Sequence, residues 1–139
     1  MPDRLISLNS VTLKDGTVFI VGDTDDSPTS DRLSSSRAEL YDPVAGAFVE
    51  LGPLLRKRDG GCALTLLRDG RVLISGGRND VELFDPATRR FSPGGTMNNL
   101  HAGINPLLLK DGTVLVAGND FSGRGDAPQT IEIYHPPTR

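Results

Sequence analysis

The side chains that could support catalysis are few in this chain of 139 residues. It has two histidines, His101 and His135, and one cysteine, Cys62. Catalysis by a serine or cysteine nucleophile needs a base such as histidine beside that nucleophile. His135 stands at a turn position, and Cys62 follows two glycines where a small apolar side chain packs well. We therefore expect no catalytic residue, no metal site and no cofactor, and we predict that the chain is not an enzyme.

Two further motifs favour solvated loops over binding sites. A calcium-binding loop that began with the acidic stretch at residues 23–31 would need glycine at its sixth position and glutamate at its twelfth, where this chain has Pro28 and Ser34. The tripeptide Arg124-Gly125-Asp126 resembles an adhesion motif, but three residues in a glycine-rich stretch arise easily by chance. Neither motif changes the expectation that the chain holds no metal.

Charge and hydropathy exclude several classes of function. Fifteen basic residues against 18 acidic ones give a net charge of -3, which disfavours general binding to nucleic-acid phosphates. No apolar run approaches the roughly 20 residues that span a bilayer, and the first ten residues lack the apolar core of a signal peptide. We expect neither a nucleic-acid nor a membrane partner, and a cytoplasmic location if the chain is complete.

Three copies of one sequence unit account for nearly the whole chain. Each copy opens with two apolar runs around an Asp-Gly pair, and these pairs are Asp15-Gly16, Asp69-Gly70 and Asp111-Gly112. Each copy continues with a phrase of glutamate and, two residues later, an aromatic residue: Glu39 and Tyr41, Glu82 and Phe84, Glu132 and Tyr134. Only the segment between the two phrases varies strongly in length, which is typical of a surface loop.

The local chemistry of the unit predicts four antiparallel strands. Asp-Gly between two apolar runs indicates a tight hairpin, because glycine accepts a positive φ. The second run is continuously apolar in all three copies, which predicts strands with both faces buried. The glutamate phrase gives a third strand, and the residues after it start a fourth in the first two copies.

This order of phrases resembles kelch repeats, in particular the bacterial kelch-type variety. Gly76-Gly77 after the second strand is the glycine pair of that pattern, and it is intact in this one copy. The resemblance implies a β-propeller, in which small sheets called blades surround an axis. We predict an all-β, partial β-propeller of three kelch-type four-stranded blades at residues 1–54, 55–96 and 97–139. The third blade lacks its fourth strand.

Antiparallel order places two sets of loops at one end of the predicted blades. These are the loops from the second to the third strand and the connections from the fourth strand to the next blade, which together we call the rim. Its candidate ligand-binding residues are Arg4, Arg58, Asp59, Arg78, Asn79, Asp80, His101, Asp120 and Arg124. Mixed polar loops on a rigid repeat scaffold commonly carry recognition.

The sequence favours a non-catalytic binding module that recognises a protein or peptide through the rim. One alternative is a fragment of a larger propeller enzyme, acting on carbohydrates or alcohols and similar to galactose oxidase, with its catalytic residues outside this chain. A second alternative is a purely structural, self-assembling partial propeller. Three blades cannot close a ring, and an open arc would expose apolar faces. We therefore predict a homodimer or another self-association that completes the propeller.

Overall fold

The computed structural model describes residues 5–24, 36–58, 62–99, 101–102, 106–120 and 129–139. This part of the chain forms strands and no helix, so it contains no helix that is long and apolar enough to cross a membrane. The strands are β1 (Leu5–Thr12), β2 (Val18–Thr24), β3 (Ser36–Asp42), β4 (Ala47–Pro53), β5 (Ala63–Leu66), β6 (Val72–Ser75), β7 (Asp80–Asp85), β8 (Arg90–Thr96), β9 (His101–Ala102), β10 (Leu107–Leu108), β11 (Val114–Asp120) and β12 (Gln129–Tyr134).

The strands form three antiparallel sheets in chain order, which confirms the predicted all-β class. The first sheet has the order β1-β2-β3-β4 and the second β5-β6-β7-β8. In the third sheet β10, β11 and β12 lie side by side, and β9 also pairs with β11. Within the described residues no strand follows β12, so the third sheet has no counterpart of β4 and β8. Hairpin connections explain this order, because each strand pairs with its neighbour in sequence.

The Asp-Gly pairs form the turns between the first two strands of each sheet. The carboxylate of Asp15 accepts a hydrogen bond from the amide of Thr17 at 2.9 Å, and the amide of Gly16 donates to the carbonyl of Leu13 at 3.1 Å. Gly16 has a φ of +88°, whereas Asp15 does not have a positive φ. This is a three-residue type of hairpin loop, in which an ordinary turn is followed by a left-handed glycine, rather than a two-residue loop with both φ values positive.

Successive sheets pack face to face. We call the face turned toward the next sheet in the chain the leading face, and the opposite one the trailing face. In the first sheet the leading face carries Phe19, Val21, Ala38 and Leu40, and the second sheet meets it with Val72, Ile74, Phe84 and Phe91. The second sheet in turn presents Ala63, Leu73, Val81 and Leu83 to Val114, Val116 and Tyr134 of the third. The core is therefore two layers of apolar side chains between three sheets.

The prediction that every second strand is buried on both faces holds only for the middle sheet. All four residues of β6 are buried, from Val72 to Ser75. In β11, by contrast, Val114 and Val116 are buried while Leu115 is half-buried and Ala117 is exposed. The apolar run is equally continuous in both strands, but only the second sheet has a neighbour on each side. Burial on both faces therefore depends on the packing of sheets and not on the strand itself.

Candidate functional site

A buried ion pair lies at the end of the sheets where the rim was predicted. The guanidinium of Arg58 donates to a carboxylate oxygen of Glu82 at 3.0 Å, and the two side chains are only 1% and 2% exposed. Arg58 belongs to the connection that leads from the first sheet into the second, whereas Glu82 lies in β7. The pair therefore joins a connecting segment to the strand that it crosses.

Arg58 also reaches the loop between β6 and β7. One terminal nitrogen of its guanidinium donates to the carbonyl of Gly76 at 3.1 Å and to that of Asp80 at 2.9 Å. Its backbone amide donates to the hydroxyl of Ser36, at the start of β3. Arginine suits this position, because its planar donors can satisfy several acceptors at once. One side chain thus fixes the connecting segment and the neighbouring loop relative to each other.

The glutamate of the repeated phrase anchors the connecting segment through its backbone. The carboxylate of Glu82 accepts hydrogen bonds from the amides of Leu55, at 2.8 Å, and Arg56, at 3.1 Å. In the third sheet Glu132 accepts in the same way from the amides of Asn98 and Asn99. Buried backbone amides need such partners wherever the chain leaves a strand. The repeated glutamate is therefore a structural anchor of the rim.

Arg58 was predicted as a ligand-binding residue of the rim, and its location differs from that prediction. It lies inside the molecule, where the carboxylate of Glu82 and two carbonyls offset the cost of removing its charge from water. The sequence held a signal for this role. Arg4 stands as far before Asp15 as Arg58 stands before Asp69, so the arginine recurs in two of the three copies, and Leu100 takes its place in the third. Arg4 itself lies outside the described residues.

Arg78 and Asp80 form a second, more exposed ion pair on the rim. Nε of Arg78 donates to the Asp80 carboxylate at 2.6 Å, and 45% of the Arg78 side chain is exposed. Partial burial raises the pKa of Asp80, but the hydrogen bond and charge of Arg78, together with the charge of Arg58, outweigh it. The net effect holds the pKa of Asp80 below its ordinary value, so Asp80 carries its negative charge at neutral pH.

A cavity of about 590 Å³ opens beside these residues, and it is lined by Leu55, Arg56, Asp80, Val81, Glu82, Pro93, Gly95 and Thr96. Leu55 is 48% exposed and offers an apolar surface, and the neighbouring Arg56 is exposed as well. Among the described residues, no carboxylate forms an ion pair with the guanidinium of Arg56. The lining of the cavity therefore combines apolar side chains with the cation of Arg56.

The remaining predicted rim residues have different outcomes. Asn79 is exposed, and its carbonyl accepts a hydrogen bond from the amide of Met97 at 2.7 Å. The backbones of His101 and Asp120 are paired in the third sheet, so the fold brings these two positions together. Asp59 and Arg124, like Arg4, lie outside the described residues. Among the predicted rim residues whose side chains the structure describes, Asp80 is the one that lines the cavity.

The reactive groups in the described chain are held in unreactive surroundings. Cys62 is partly buried against the core between the first and second sheets, and this burial raises the pKa of its thiol to about 11. Burial likewise raises the pKa of Tyr134 to about 12, and its hydroxyl donates to the carbonyl of Gly94 at 2.7 Å. With a pKa of about 11, the thiol of Cys62 is protonated at neutral pH. A thiol must lose its proton to act as a nucleophile, so Cys62 is a poor nucleophile there.

Comparison with known proteins finds a similar fold but no family. No protein-family model matches the chain, and no curated protein matches it. Among 84 matching chains of solved structures is a fungal alcohol oxidase described as showing catalytic diversity among the AA5 family, in complex with copper. The two share 15% sequence identity with a TM-score of 0.66. The match covers 91% of this chain but only 28% of the oxidase chain, and at this identity it shows a similar fold alone.

The described residues do not fit a copper site of their own. In the ranges that the structure describes, no three side chains of His, Cys, Asp or Glu are placed to hold a metal ion. The hydroxyl of Tyr134 donates to a backbone carbonyl. Copper needs imidazole, thiolate or similar donors converging on one point.

Proposed function

We propose that this chain is part of a kelch-type β-propeller and acts as a non-catalytic module that binds a protein or peptide through its rim. The arrangement of the three sheets supports a propeller. Their first strands lie beside one another, since β5 contacts both β1 and β10. In a propeller the first strand of each blade is nearest the axis, so neighbouring first strands are the expected contacts.

The observation that carries this proposal is the rigid support beneath the cavity at the rim. The buried Arg58–Glu82 pair holds Leu55 and Arg56 by their backbone, and it holds Asp80 through its carbonyl. Recognition residues on a fixed support lose little conformational freedom on binding, so more of the contact energy appears as affinity. The cavity is thus suited to a ligand that binds with little rearrangement of the protein.

The chemistry of the cavity favours a peptide with an acidic side chain next to an aliphatic one. Arg56 offers charge-assisted hydrogen bonds to a carboxylate. Leu55 and Pro93 offer an apolar surface for the aliphatic neighbour. The two carboxylates that line the cavity, Asp80 and Glu82, already form ion pairs with Arg78 and Arg58. Arg56 is therefore the charged lining residue that can pair with a carboxylate of the ligand.

Selection of random heptapeptides on a column that carries the immobilised full chain tests this proposal. We expect enrichment of peptides with an acidic residue beside Leu, Ile or Val. Arg56→Ser should weaken binding of the best peptide at least tenfold, since a hydrogen bond to a charged group is worth roughly 1.5–3 kcal/mol. Arg90→Ser is the matched control, because Arg90 is exposed at the opposite end of the second sheet, and it should leave affinity within about twofold. Fluorescence polarisation measures both.

Two outcomes would contradict the binding role at this cavity. One is that no peptide is enriched over a column without protein. The other is that Arg56→Ser and Arg90→Ser weaken binding equally, which would point to general attraction between opposite charges. Far-UV circular dichroism of each variant shows whether the fold is retained.

A second candidate function follows from the partial match to the alcohol oxidase. Because this chain aligns with about a quarter of that protein, it is also compatible with one portion of a larger propeller enzyme. An antibody raised against residues 1–139 would then detect a natural protein far larger than 14.9 kDa. That protein, isolated with the antibody, should oxidise alcohols with O2, which is reduced to hydrogen peroxide. A natural protein no larger than this chain and without this activity would favour the binding module.

A further inference from the structure

The third sheet exposes apolar side chains at positions that are buried in the other two sheets. These positions lie on the leading face of the strand that carries the repeated glutamate, which is β3, β7 and β12 in the three sheets. The matched positions and their exposed fractions are Ala38 0%, Val81 2% and Ile131 70%, then Leu40 7%, Leu83 1% and Ile133 45%. Leu107, on the same face, is 59% exposed. In the first two sheets these side chains are buried by the next sheet along the chain. The third sheet has no such sheet packed on this face among the described residues.

The first sheet has partly exposed apolar side chains on its trailing face, at positions that are covered in the second sheet. Val18, Ile20 and Tyr41 are half-buried there, and Phe48 is 38% exposed. Their counterparts in the second sheet are Val72, Ile74, Phe84 and Phe91, of which the first three are completely buried. The ring of Tyr41 lies 4.8 Å from that of Phe48, as Phe84 lies 5.1 Å from Phe91. An aromatic surface that is covered in the second sheet is therefore open in the first.

We infer that a second copy of this chain covers both faces, with the third sheet of each copy packed on the first sheet of the other. The occupant follows from continuity with the two existing interfaces, in which a leading face meets a trailing face. Phe19 stacks on Phe84 at 4.4 Å between the first two sheets. The repeat places Leu115 where Phe19 stands and Tyr41 where Phe84 stands. Leu115 therefore packs on the partner's Tyr41.

A two-fold axis uses both open faces at once. Each copy then contributes three sheets, and the closed ring has six, within the range of about four to eight blades that propellers use. A head-to-tail contact that closes in this way leaves no open face to recruit further copies. This closure favours a dimer over an extended polymer.

Polar contacts between the hairpin turns also run from each sheet to the next. The ammonium group of Lys14 donates to the carbonyl of Arg68, in the corresponding turn of the second sheet. The side chain of Arg68 in turn lies against Gly112, in the turn of the third sheet. Lys110 occupies the matching position in that third turn and is exposed. In the dimer Lys110 reaches the partner's turn, so each turn places a cation on the next one around the ring.

Sedimentation velocity of the full chain with three variants tests the dimer. We expect twice the 14.9 kDa mass of one chain. Ile131→Arg and Phe48→Glu each place a charge in the contact and should raise the dimer dissociation constant at least tenfold. Both side chains are exposed in the single chain, so each variant should fold. Val44→Arg is the matched control, because Val44 is 96% exposed in a turn outside both faces, and it should not change the mass.

Mixing the two variants distinguishes the head-to-tail arrangement from other dimers. A mixed dimer of Ile131→Arg and Phe48→Glu chains regains one contact without substitutions, so the mixture should return to the mass of the wild-type dimer. A wild-type chain that stays monomeric at high micromolar concentration overturns the inference, as does a mixture of folded variants that remains monomeric. The inference rests on the proposed propeller arrangement but not on peptide binding at the rim, and a monomer that still binds peptide separates the two.

Discussion

Arg58 shows how a single charged side chain can be a structural element of a repeat protein. It stands two residues after Arg56, yet Arg56 is exposed and Arg58 is 1% exposed. The difference comes from their partners, since Glu82 and two carbonyls surround the guanidinium of Arg58. A buried ion pair need not add net stability, but removing one partner leaves an uncompensated charge.

We predict that Arg58→Ala lowers the free energy of unfolding by about 3–5 kcal/mol, because the Glu82 carboxylate then remains buried without its cation. The comparison variant is Arg78→Ala, which breaks the exposed pair with Asp80 and should cost at most about 1 kcal/mol. Urea denaturation followed by far-UV circular dichroism measures both. Equal losses in the two variants would show that burial of the Arg58 pair is not what makes it important.

At the scale of strands, the two interfaces between sheets differ in the size of one residue in the outer strand. Each outer strand has a bulge opposite the repeated glutamate, and the extra residue is Leu51 in β4 and Gly94 in β8. Leu51 packs on the core that contains Phe84. Gly94 instead faces Tyr134, whose hydroxyl donates to its carbonyl. The phenylalanine is therefore matched with a large bulge residue, and the tyrosine with a glycine that leaves room for its hydroxyl.

We predict that Gly94→Ala destabilises the protein by about 1–3 kcal/mol through overpacking. A methyl group there would lie 3.0 Å from Val81 and 3.1 Å from the hydroxyl of Tyr134. Ser92→Ala, at an exposed position in the same strand, should change stability by no more than about 0.5 kcal/mol. Thermal and urea unfolding provide the measurement.

A double variant shows whether the tyrosine hydroxyl is the group that Gly94 accommodates. Tyr134→Phe removes one of the close contacts, so Gly94→Ala with Tyr134→Phe should cost less than the sum of the single variants. Costs that simply add would mean that the two positions do not interact.

At the scale of the whole molecule, the folded state lowers the pKa of the aspartate in all three hairpin turns. Hydrogen bonds from the hydroxyl and amide of Thr17 lower the pKa of Asp15, and Thr113 has the same effect on Asp111. At the middle turn, burial raises the pKa of Asp69, but hydrogen bonds and charge from Arg71 outweigh it and lower the pKa overall. All three carboxylates are therefore held in their ionised form by the folded state.

We predict that the folded state loses stability in acid. A carboxyl group whose pKa is lower in the folded state stabilises that state above its unfolded pKa of about 3.9. This contribution is lost as the pH falls through the folded pKa, so the free energy of unfolding should decrease progressively over the acid range below about pH 5. Urea denaturation at fixed protein concentration across this range tests the prediction, and a flat profile would contradict it.

Variants at Thr113 link the acid sensitivity to the turns. Thr113→Val removes the hydroxyl that donates to Asp111 at 2.7 Å and should make the loss of stability in acid smaller. Thr113→Ser keeps a hydroxyl and should retain the wild-type dependence. Identical profiles for the two variants would exclude this hydroxyl as a cause.

The sequence by itself determined the repeat, the all-β class and the positions of the hairpin turns. These features are local, because Asp-Gly between two apolar runs specifies which strands pair whatever surrounds them. The continuous apolar run of the second strand in each copy was also visible in the sequence. Even the structural role of Arg58 had a trace in its fixed distance from Asp69, repeated by Arg4 and Asp15.

Only the tertiary structure decided which of these side chains are buried. β6 and β11 have equally apolar sequences, but only β6 has a sheet packed on each side. Arg56 and Arg58 are both arginines of one connecting segment, but of these two guanidinium groups that of Arg58 forms an ion pair with a buried carboxylate. Burial is a property of what lies next to a residue in space, and contacts between sheets join residues that no local pattern relates.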